Sequence, residues 1–593
     1  MAATSSSSAA STPGILYVTM QPHPDLEPAQ FHEWYNNEHG PTRLAMRSIF
    51  SNGLRYHSTD TADTADTAAA ASPPTFMAVY DVRHMPLLAT PTYTDLRANR
   101  SPREAATIAR VDVVRAFYDL LHTKQAPSFR PLESRTDAEL APPGTQGGGG
   151  GRGERGGIVT VAVEISLTQE PAAGDEYRAW YIEEHVEMLA RVPGWLRSRL
   201  FKKSSSATVQ DAAAGGETTV YFCLHDYEAT NGLGGPAHAA SMDTPRRAAV
   251  FDKYVAAKSR QTFSLFYVFG PAARDLHSLA QLRPPPAASS PSSSSVTFVS
   301  PDGGASLRTD AATPSITSCI RTDDGLVIPY RLEGSPEPGA PVVVLSNSLL
   351  TSYAMWDPLV AVLRRARPDL RVLRYDTRGR HAVPPADNAR LADLAADLEA
   401  LRAALRVERF ACVVGVSMGG ATALRYALTH PARVGRLVAA DFNCAAAAAN
   451  TQAWRDRIAV ARGEGGMAAL AGQTVARWFH PATPPETAAW MTGLVAANDV
   501  EGFARSCTAL WDYDMRPEMP GCAVPALLVA GEADGKGVLV KAMEGFKGLL
   551  GEKGAELRVV PRTGHLPMCE DPEGFWEAIE DFMEPITVEK KNV

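Results

Sequence analysis

The sequence predicts an α+β region followed by an α/β region: two small α+β units of one kind, then a doubly wound parallel sheet carrying a helical cap. Three observations predict this. The order of apolar runs and helical patterns in the N-terminal part recurs at an offset of about 145 residues, the mark of an internal duplication. The C-terminal part alternates β and α patterns, as parallel sheets covered on both faces do. Low-complexity stretches rich in Gly, Pro and Ser punctuate the chain between these parts.

The boundaries follow in chain order. Residues 1–13 are Ala, Ser and Thr with Pro13 and predict a disordered tail. The first repeat covers 14–140, a Gly-rich linker 141–157 and the second repeat 158–280. A Pro/Ser-rich linker covers 281–314, and the α/β domain covers 315–593 with its cap at about 448–520. Residues 60–74 (DTADTADTAAAASPP) predict a disordered loop within the first repeat.

The repeats align by eye. GILYVTM at Gly14 matches GIVTVAV at Gly157, and FHEWYNNEHGPTRLAM at Phe31 matches YRAWYIEEHVEMLARV at Tyr177. TFMAVYDV at Thr75 is echoed from Thr219, and AFYDLL at Ala116 by LFYVFG at Leu265. Each copy gives a β run, a helix bearing WYxxxH, a β run, a helical region and a last aromatic β run. One such sheet leaves an apolar face uncovered, so the two copies are expected to pack sheet against sheet within the chain. The linker favours this: 17 residues of Gly-rich chain span about 20–25 Å, giving the sister copy an effective concentration of about a millimolar.

In the C-terminal part, Pro341–Ser348, Leu370–Gly379, Phe410–Gly420, Leu437–Asn443, Ala526–Gly535 and Leu557–His565 each contain an apolar run suited to a buried strand. Residues 391–405 form an Ala/Leu-rich amphipathic helix. Gly415-Val416-Ser417-Met418-Gly419 follows a strand and opens a helix. A serine on so sharp a turn needs small neighbours, and the turn lifts its hydroxyl clear of the sheet. Ser417 is therefore the candidate nucleophile, against the alternative of an ordinary helix N-cap. A hydroxyl needs a base, and the base an orienting acid. His565 follows the last strand and Asp534 the one before it, in the order Ser, acid, His. Asp441 ends an earlier strand and stands as the alternative acid, while Asp376 in YDTRG has a structural role. The N–H groups of Met418 and Leu349 are the expected oxyanion donors, Leu349 by position alone.

Composition narrows the partners. The chain is 45% hydrophobic and 21% charged, with a formal net charge of −8 and no long basic run, which disfavours nucleic acid and anionic membrane surfaces. Seven cysteines stand singly with no CxxC pair, so neither a disulfide framework nor a zinc site is expected, and no metal. The first residues lack the features of a signal peptide, and no run approaches 18 apolar residues. A cytoplasmic location and no membrane partner are expected.

With these residues in place, two resemblances can be named. Trp34-Tyr35-x3-His39 with Pro41, and Trp180-Tyr181-x3-His185 with Glu187 at the proline position, resemble EthD-like members of the dimeric α+β barrel superfamily. That resemblance implies a duplicated ferredoxin-like α+β barrel formed within one chain. Tyr35 and His39, and Tyr181 and His185, stand at i and i+4. They form either an aromatic stripe covering the sheet or a ligand or acid/base site inside the barrel. LSNSLLTSYAMWDPLV, RYDTRG, GVSMGG, GEADG and TGHLPMCEDP, over about residues 316–585, resemble 3-oxoadipate enol-lactonases and their near relatives among α/β-hydrolases. That implies opening of a lactone or ester without a cofactor. Two positions depart from the family: Leu350 replaces a common glycine, and Arg380-His381-Ala382-Val383 replaces the usual His-Gly. Asn347, Ser348, Trp356, Trp478 and Trp511 are candidate pocket residues; Trp454, Trp478, Trp490 and Trp511 otherwise simply pack the cap helices together. The rival function is a non-hydrolytic lyase or cyclase on a polyketide-like or aromatic-pathway intermediate, with the barrel a second active site or an assembly scaffold.

Overall fold

A computed structural model describes residues 12–60, 74–140, 157–204, 219–282, 295–299, 306–310, 313–380, 387–447, 449–584 and 586. The loop 61–73 and linker residues 141–156, about which the sequence made expectations, lie outside these. The chain divides into two units, Met1–Pro271 and Ala272–Val593.

The first unit is a closed barrel of eight strands: β1 (Gly14–Pro22), β2 (Phe50–Ser58), β3 (Phe76–Val82), β4 (Val111–Gln125), β5 (Val159–Leu167), β6 (Trp195–Lys203), β7 (Val220–Tyr227) and β8 (Val255–Val268). Each repeat contributes four adjacent antiparallel strands in the order fourth, first, third, second. The repeats join through β2–β8 and β4–β6. Edge pairing of this kind leaves no open sheet edge. Closure adds edge pairing to the expected packing of sheet against sheet, since the inner faces of both repeats share one core. Two strands absent from the expected element order, β2 and β6, supply half of these joins. FSNGLRYHS and WLRSRLFKK carry too many polar residues for an apolar-run criterion. Several of their polar groups find partners on neighbouring strands instead, for example Asn52 Nδ2 donating to Asp81 at 2.8 Å and Arg197 Nε to Asp226 at 2.9 Å.

Alternation along the strands separates two apolar layers. Ile15, Leu54, Tyr56, Val79, Phe222 and Leu265 pack inside the barrel. Leu16, Val18 and Met20 face outward onto the helix carrying Phe31, Trp34 and Tyr35, and Ile165, Tyr221 and Cys223 face outward onto Tyr177, Trp180 and Tyr181.

The second unit is built on a ten-stranded sheet. Its strands are β9 (Ser295–Val299), β10 (Ser306–Asp310), β11 (Ser315–Arg321), β12 (Val327–Gly334), β13 (Val342–Ser346), β14 (Arg371–Tyr375), β15 (Cys412–Val416), β16 (Leu437–Ala440), β17 (Ala526–Gly531) and β18 (Glu556–Val560). They lie in the order 18-17-16-15-13-14-12-11-10-9. β13 to β18 pair in parallel, and β9 to β12 extend the sheet antiparallel. Strands β9 and β10 therefore fall within the stretch 281–314 expected as a linker. Ala272, Ala273, Leu276 and Leu279, assigned to the end of the second repeat by the sequence, are buried in the second unit's core. The cap comprises helices Asn450–Arg462, Gly466–Trp478, Pro485–Ala496 and Val500–Ser506, inserted between β16 and β17.

Candidate active site

The chain leaves β13 toward β14 on one side and returns to β15 on the other, so the carboxyl ends of β13 and β15 open a crevice where the winding reverses. Ser417 stands there, between β15 and the helix Met418–Thr429. Its backbone is at φ 57° and ψ −120°, a left-handed conformation that L-residues rarely adopt. Ser417 N–H still donates across the sheet to Ala440 O of β16 at 2.9 Å. A Cβ on Gly419 would lie 2.0 Å from Ser346 O, and one on Gly415 would lie 2.1 Å from Gly419 O, so neither position admits a side chain. The elbow thus brings the helix N-terminus, with Met418 at its first turn, against the end of β13.

His565 and Asp534 follow β18 and β17 at the same end of the sheet. Their side chains meet at 2.7 Å, Nδ1 to Oδ2, with only 13% and 11% of their side-chain surfaces exposed. Burial alone would raise the Asp534 carboxyl. The His565 partner, Asp441 and Arg477 outweigh it and hold Asp534 below the usual carboxylate range. His565 is fixed from behind by the cap: its N–H donates to Trp478 O at 2.7 Å, and the Trp478 ring lies 5.4 Å away.

Asp441, the alternative acid, is buried against Asp534 and does not touch His565 in any described hydrogen bond. Its Oδ1 accepts from Gly531 N at 2.8 Å. Burial, then the Asp534 charge, push its carboxyl well above the ordinary range, so it is the protonated member of the pair. Asp376 accepts from Tyr353 N at 2.7 Å, in keeping with a structural role.

Glu570 was not singled out from the sequence. Its Oε1 accepts from Gly564 N at 2.9 Å, and its Oε2 from His480 N and Thr483 Oγ1, both at 2.7 Å. One carboxylate thereby ties the His565 loop to the end of a cap helix. A clamp assembled across 90 residues leaves no local pattern to find.

The loop after β13 carries Leu349 and Leu350, both buried, with Leu350 at φ 68°. The position where the resemblance implies glycine is left-handed in this chain, held by leucine at a cost of about 1 kcal/mol. Leu350 O accepts from Asn498 Nδ2 at 3.0 Å, and Arg380 Nη1 donates to Asn498 Oδ1 at 2.6 Å. Arg380 is fully buried, and that burial pushes its guanidinium down to about 9.

The candidate pocket residues divide. Asn347 and Trp356 are wholly buried and bonded to each other, Trp356 Nε1 to Asn347 Oδ1 at 2.8 Å, while Asn347 Nδ2 donates to Tyr375 O at 2.8 Å. Their polar groups are occupied in holding the β13 loop, which corrects their assignment to a pocket wall. Ser348 is likewise buried, its hydroxyl turned to Leu349 O at 3.3 Å. Trp478 adjoins His565, whereas Trp511 packs in the cap, its carbonyl accepting from Thr451 Oγ1 at 3.2 Å.

In the first unit, Tyr35–His39 and Tyr181–His185 are each wound as a π-turn, closed by Gly40 N–H to Tyr35 O and Val186 N–H to Tyr181 O. Such turns recur at functional sites. They replace the ordinary helical face expected, though the rings still adjoin at 4.6 Å and 5.8 Å. All four residues lie between the barrel's outer face and its helices, as in the alternative of an aromatic stripe covering the sheet and not that of a site inside the barrel.

Residues 341–572 match the family described as alpha/beta hydrolase fold. The chain is 31% identical over 247 residues to "3-oxoadipate enol-lactonase 2" of Acinetobacter baylyi, covering 41% of this chain and 88% of that protein. It is 34% identical over 218 residues to "3-oxoadipate enol-lactonase 1" of the same organism, covering 36% and 79%. Among solved structures, the enol-lactonase from Burkholderia xenovorans LB400 is 32% identical, with a TM-score of 0.40, covering 44% of this chain and 97% of that one. Through its C-terminal unit, this chain belongs to the α/β-hydrolase fold family.

Proposed function

We propose that the C-terminal unit is a serine hydrolase that opens an enol-lactone or a comparably activated ester. The observation that carries this is the elbow at Ser417 standing at the same end of the sheet as the 2.7 Å His565–Asp534 pair. The relatives named enol-lactonases support the substrate class.

In this reading the Ser417 hydroxyl attacks the lactone carbonyl while His565 Nε2 takes its proton. Asp534 holds the Nδ1–H tautomer and stabilises the imidazolium. The N–H groups of Leu349 and Met418 receive the oxyanion. Collapse breaks the ring C–O bond, and His565 returns the proton to the leaving enol oxygen, leaving an acyl-serine. Water then gives one proton to His565 and adds to the acyl carbon; the acyl–serine bond breaks, the proton on His565 returns to Ser417, and the released acid gives its remaining proton to solvent. The proton transfers at the reacting atoms are made by His565, so the cycle requires no cofactor.

The N-terminal unit we assign to the EthD-like, ferredoxin-like α+β barrels. The 4-1-3-2 strand order of each repeat and the twice-repeated WYxxxH support that assignment. The barrel pairs with its own sister repeat rather than with another molecule.

The test is Ser417→Ala assayed on an enol-lactone and an aryl ester in 18O-water. Wild-type protein is expected to place one solvent oxygen in the new carboxylate, and the variant to lose at least about 10⁴-fold in kcat. Retained turnover in Ser417→Ala, or product without solvent oxygen, would overturn the proposal, the second result in favour of lyase or cyclase chemistry.

A further inference from the structure

The two barrel repeats are built alike at the WYxxxH turn but differ in what fills the space beside it. In the first repeat that space is only about 10 Å³, room for a single water at most. His39 Nδ1 meets Glu104 Oε1 at 2.9 Å, and Arg43 Nη2 lies 3.7 Å from the same oxygen. Phe269 closes one side, stacked 5.6 Å from Tyr35 and 5.8 Å from Tyr80. A Cβ on Gly40 would lie 2.3 Å from that ring, so the glycine is what admits it.

The second repeat reverses each of these choices. The cavity beside His185 is about 80 Å³. The equivalence of positions is fixed by the helix caps: Ser101 accepts from Glu104 N and contacts Glu38, and Thr244 accepts from Arg247 N and contacts Glu184. Arg247 therefore stands where the first repeat has Glu104. Counting from the paired histidines, Leu189 stands where it has Arg43, and Val186 where it has Gly40. No carboxylate lines the cavity. Arg247 and Arg260 reach it and make no ion pair among the described residues; Arg247 lies over the Phe251 ring at 4.2 Å. His185, 7% exposed, and Trp180, 1% exposed, leave Nδ1 and Nε1 without a hydrogen-bond partner among the described residues. A cavity with apolar and aromatic walls, an unfilled buried donor at Trp180 Nε1 and two cations without an ion pair among the described residues has the complement of a flat anion.

We propose that this cavity is a binding site for a small, flat organic carboxylate, its apolar part against the Val163, Ile165 and Trp180 lining and its charge on Arg247 and Arg260. The volume sets the size. A cavity of about 150 Å³ takes a benzene ring, so 80 Å³ encloses a ligand of about four or five carbons. The assignment is independent of the hydrolase reading.

The test uses the full chain and calorimetric titration with crotonate, with crotonamide as the uncharged isostere. Crotonate is expected to bind at one site, crotonamide to bind at least about tenfold more weakly, and Arg247→Glu to weaken crotonate by a similar factor. Arg260→Gln is the second variant and carries the test if Arg247→Glu fails to fold, judged by its thermal midpoint. No binding to the wild-type chain, equal binding of the amide, or crotonate binding undiminished in a folded variant would each overturn the proposal. The last of these would place any binding at another site.

Discussion

Asp441 and Asp534 put two carboxyl groups behind one histidine, and burial permits only one of them to be charged. The charge stays on Asp534, where His565 compensates it. Asp534→Asn should therefore cost about 10⁴-fold in kcat, through the wrong histidine tautomer. Asp441→Asn replaces a protonated acid by its neutral isostere and should keep activity. Its effect on stability depends on pH, and the sign can be worked out. The folded Asp441 carboxyl lies above its unfolded value of about 3.9, so the folded state binds more protons and the wild type loses stability as pH rises from about 4 through the folded value. Asparagine has no such loss. Thermal midpoints of Asp441→Asn minus wild type should grow from pH 4 upward and then level off; a difference that shrinks with pH would show Asp441 charged in the fold.

At the scale of elements, the His565 loop is held by one cap helix through Glu570. Glu570→Ala removes the acceptor for Gly564 N, His480 N and Thr483 Oγ1 together. The base should then wander by a fraction of an ångström, costing about 10²-fold in kcat with little change in KM. Glu570→Gln, which keeps one acceptor oxygen, should recover part of that. Equal kcat in all three proteins would remove Glu570 from any positioning role. The same contrast explains what was legible in the sequence. Gly415, Ser417 and Gly419 are diagnostic because a strand–turn–helix is local, and the strands before Asp534 and His565 are apolar enough to be found. Glu570, the Asp441–Asp534 contact and the Trp356–Asn347 bond join distant or buried groups whose type follows only from the fold. Strands β2 and β6 escaped because polar residues such as Asn52 and Arg197, paired with other strands, interrupt their apolar runs.

For the whole molecule, the division falls at Pro271, not in the Pro/Ser-rich stretch. Residues 272–282 belong to the second unit: Ala273 O accepts from the buried Tyr330 hydroxyl at 2.6 Å, and Leu276 and Leu279 are wholly buried in its core. A protein beginning at residue 272 should keep hydrolase turnover within about threefold of the full chain. One beginning at 315 loses two buried leucines and two strands and should be less stable by several kcal/mol, at about 2–5 per leucine. Urea unfolding of the two truncations, followed by tryptophan fluorescence, distinguishes them; equal midpoints would put the boundary back in the low-complexity stretch.

The barrel closes with both of its halves on one chain. In an assembly of two identical molecules, every substitution appears twice, so a residue that suits one side is imposed on the other. Covalent duplication lifts that constraint. Glu104 and Arg247, opposite charges at matching places, are a pair that no symmetric dimer can hold. One half is thereby free to become scaffold, packed tightly around Phe269, while the other keeps a larger cavity, and broken symmetry of this kind is what a gene gains by carrying both copies.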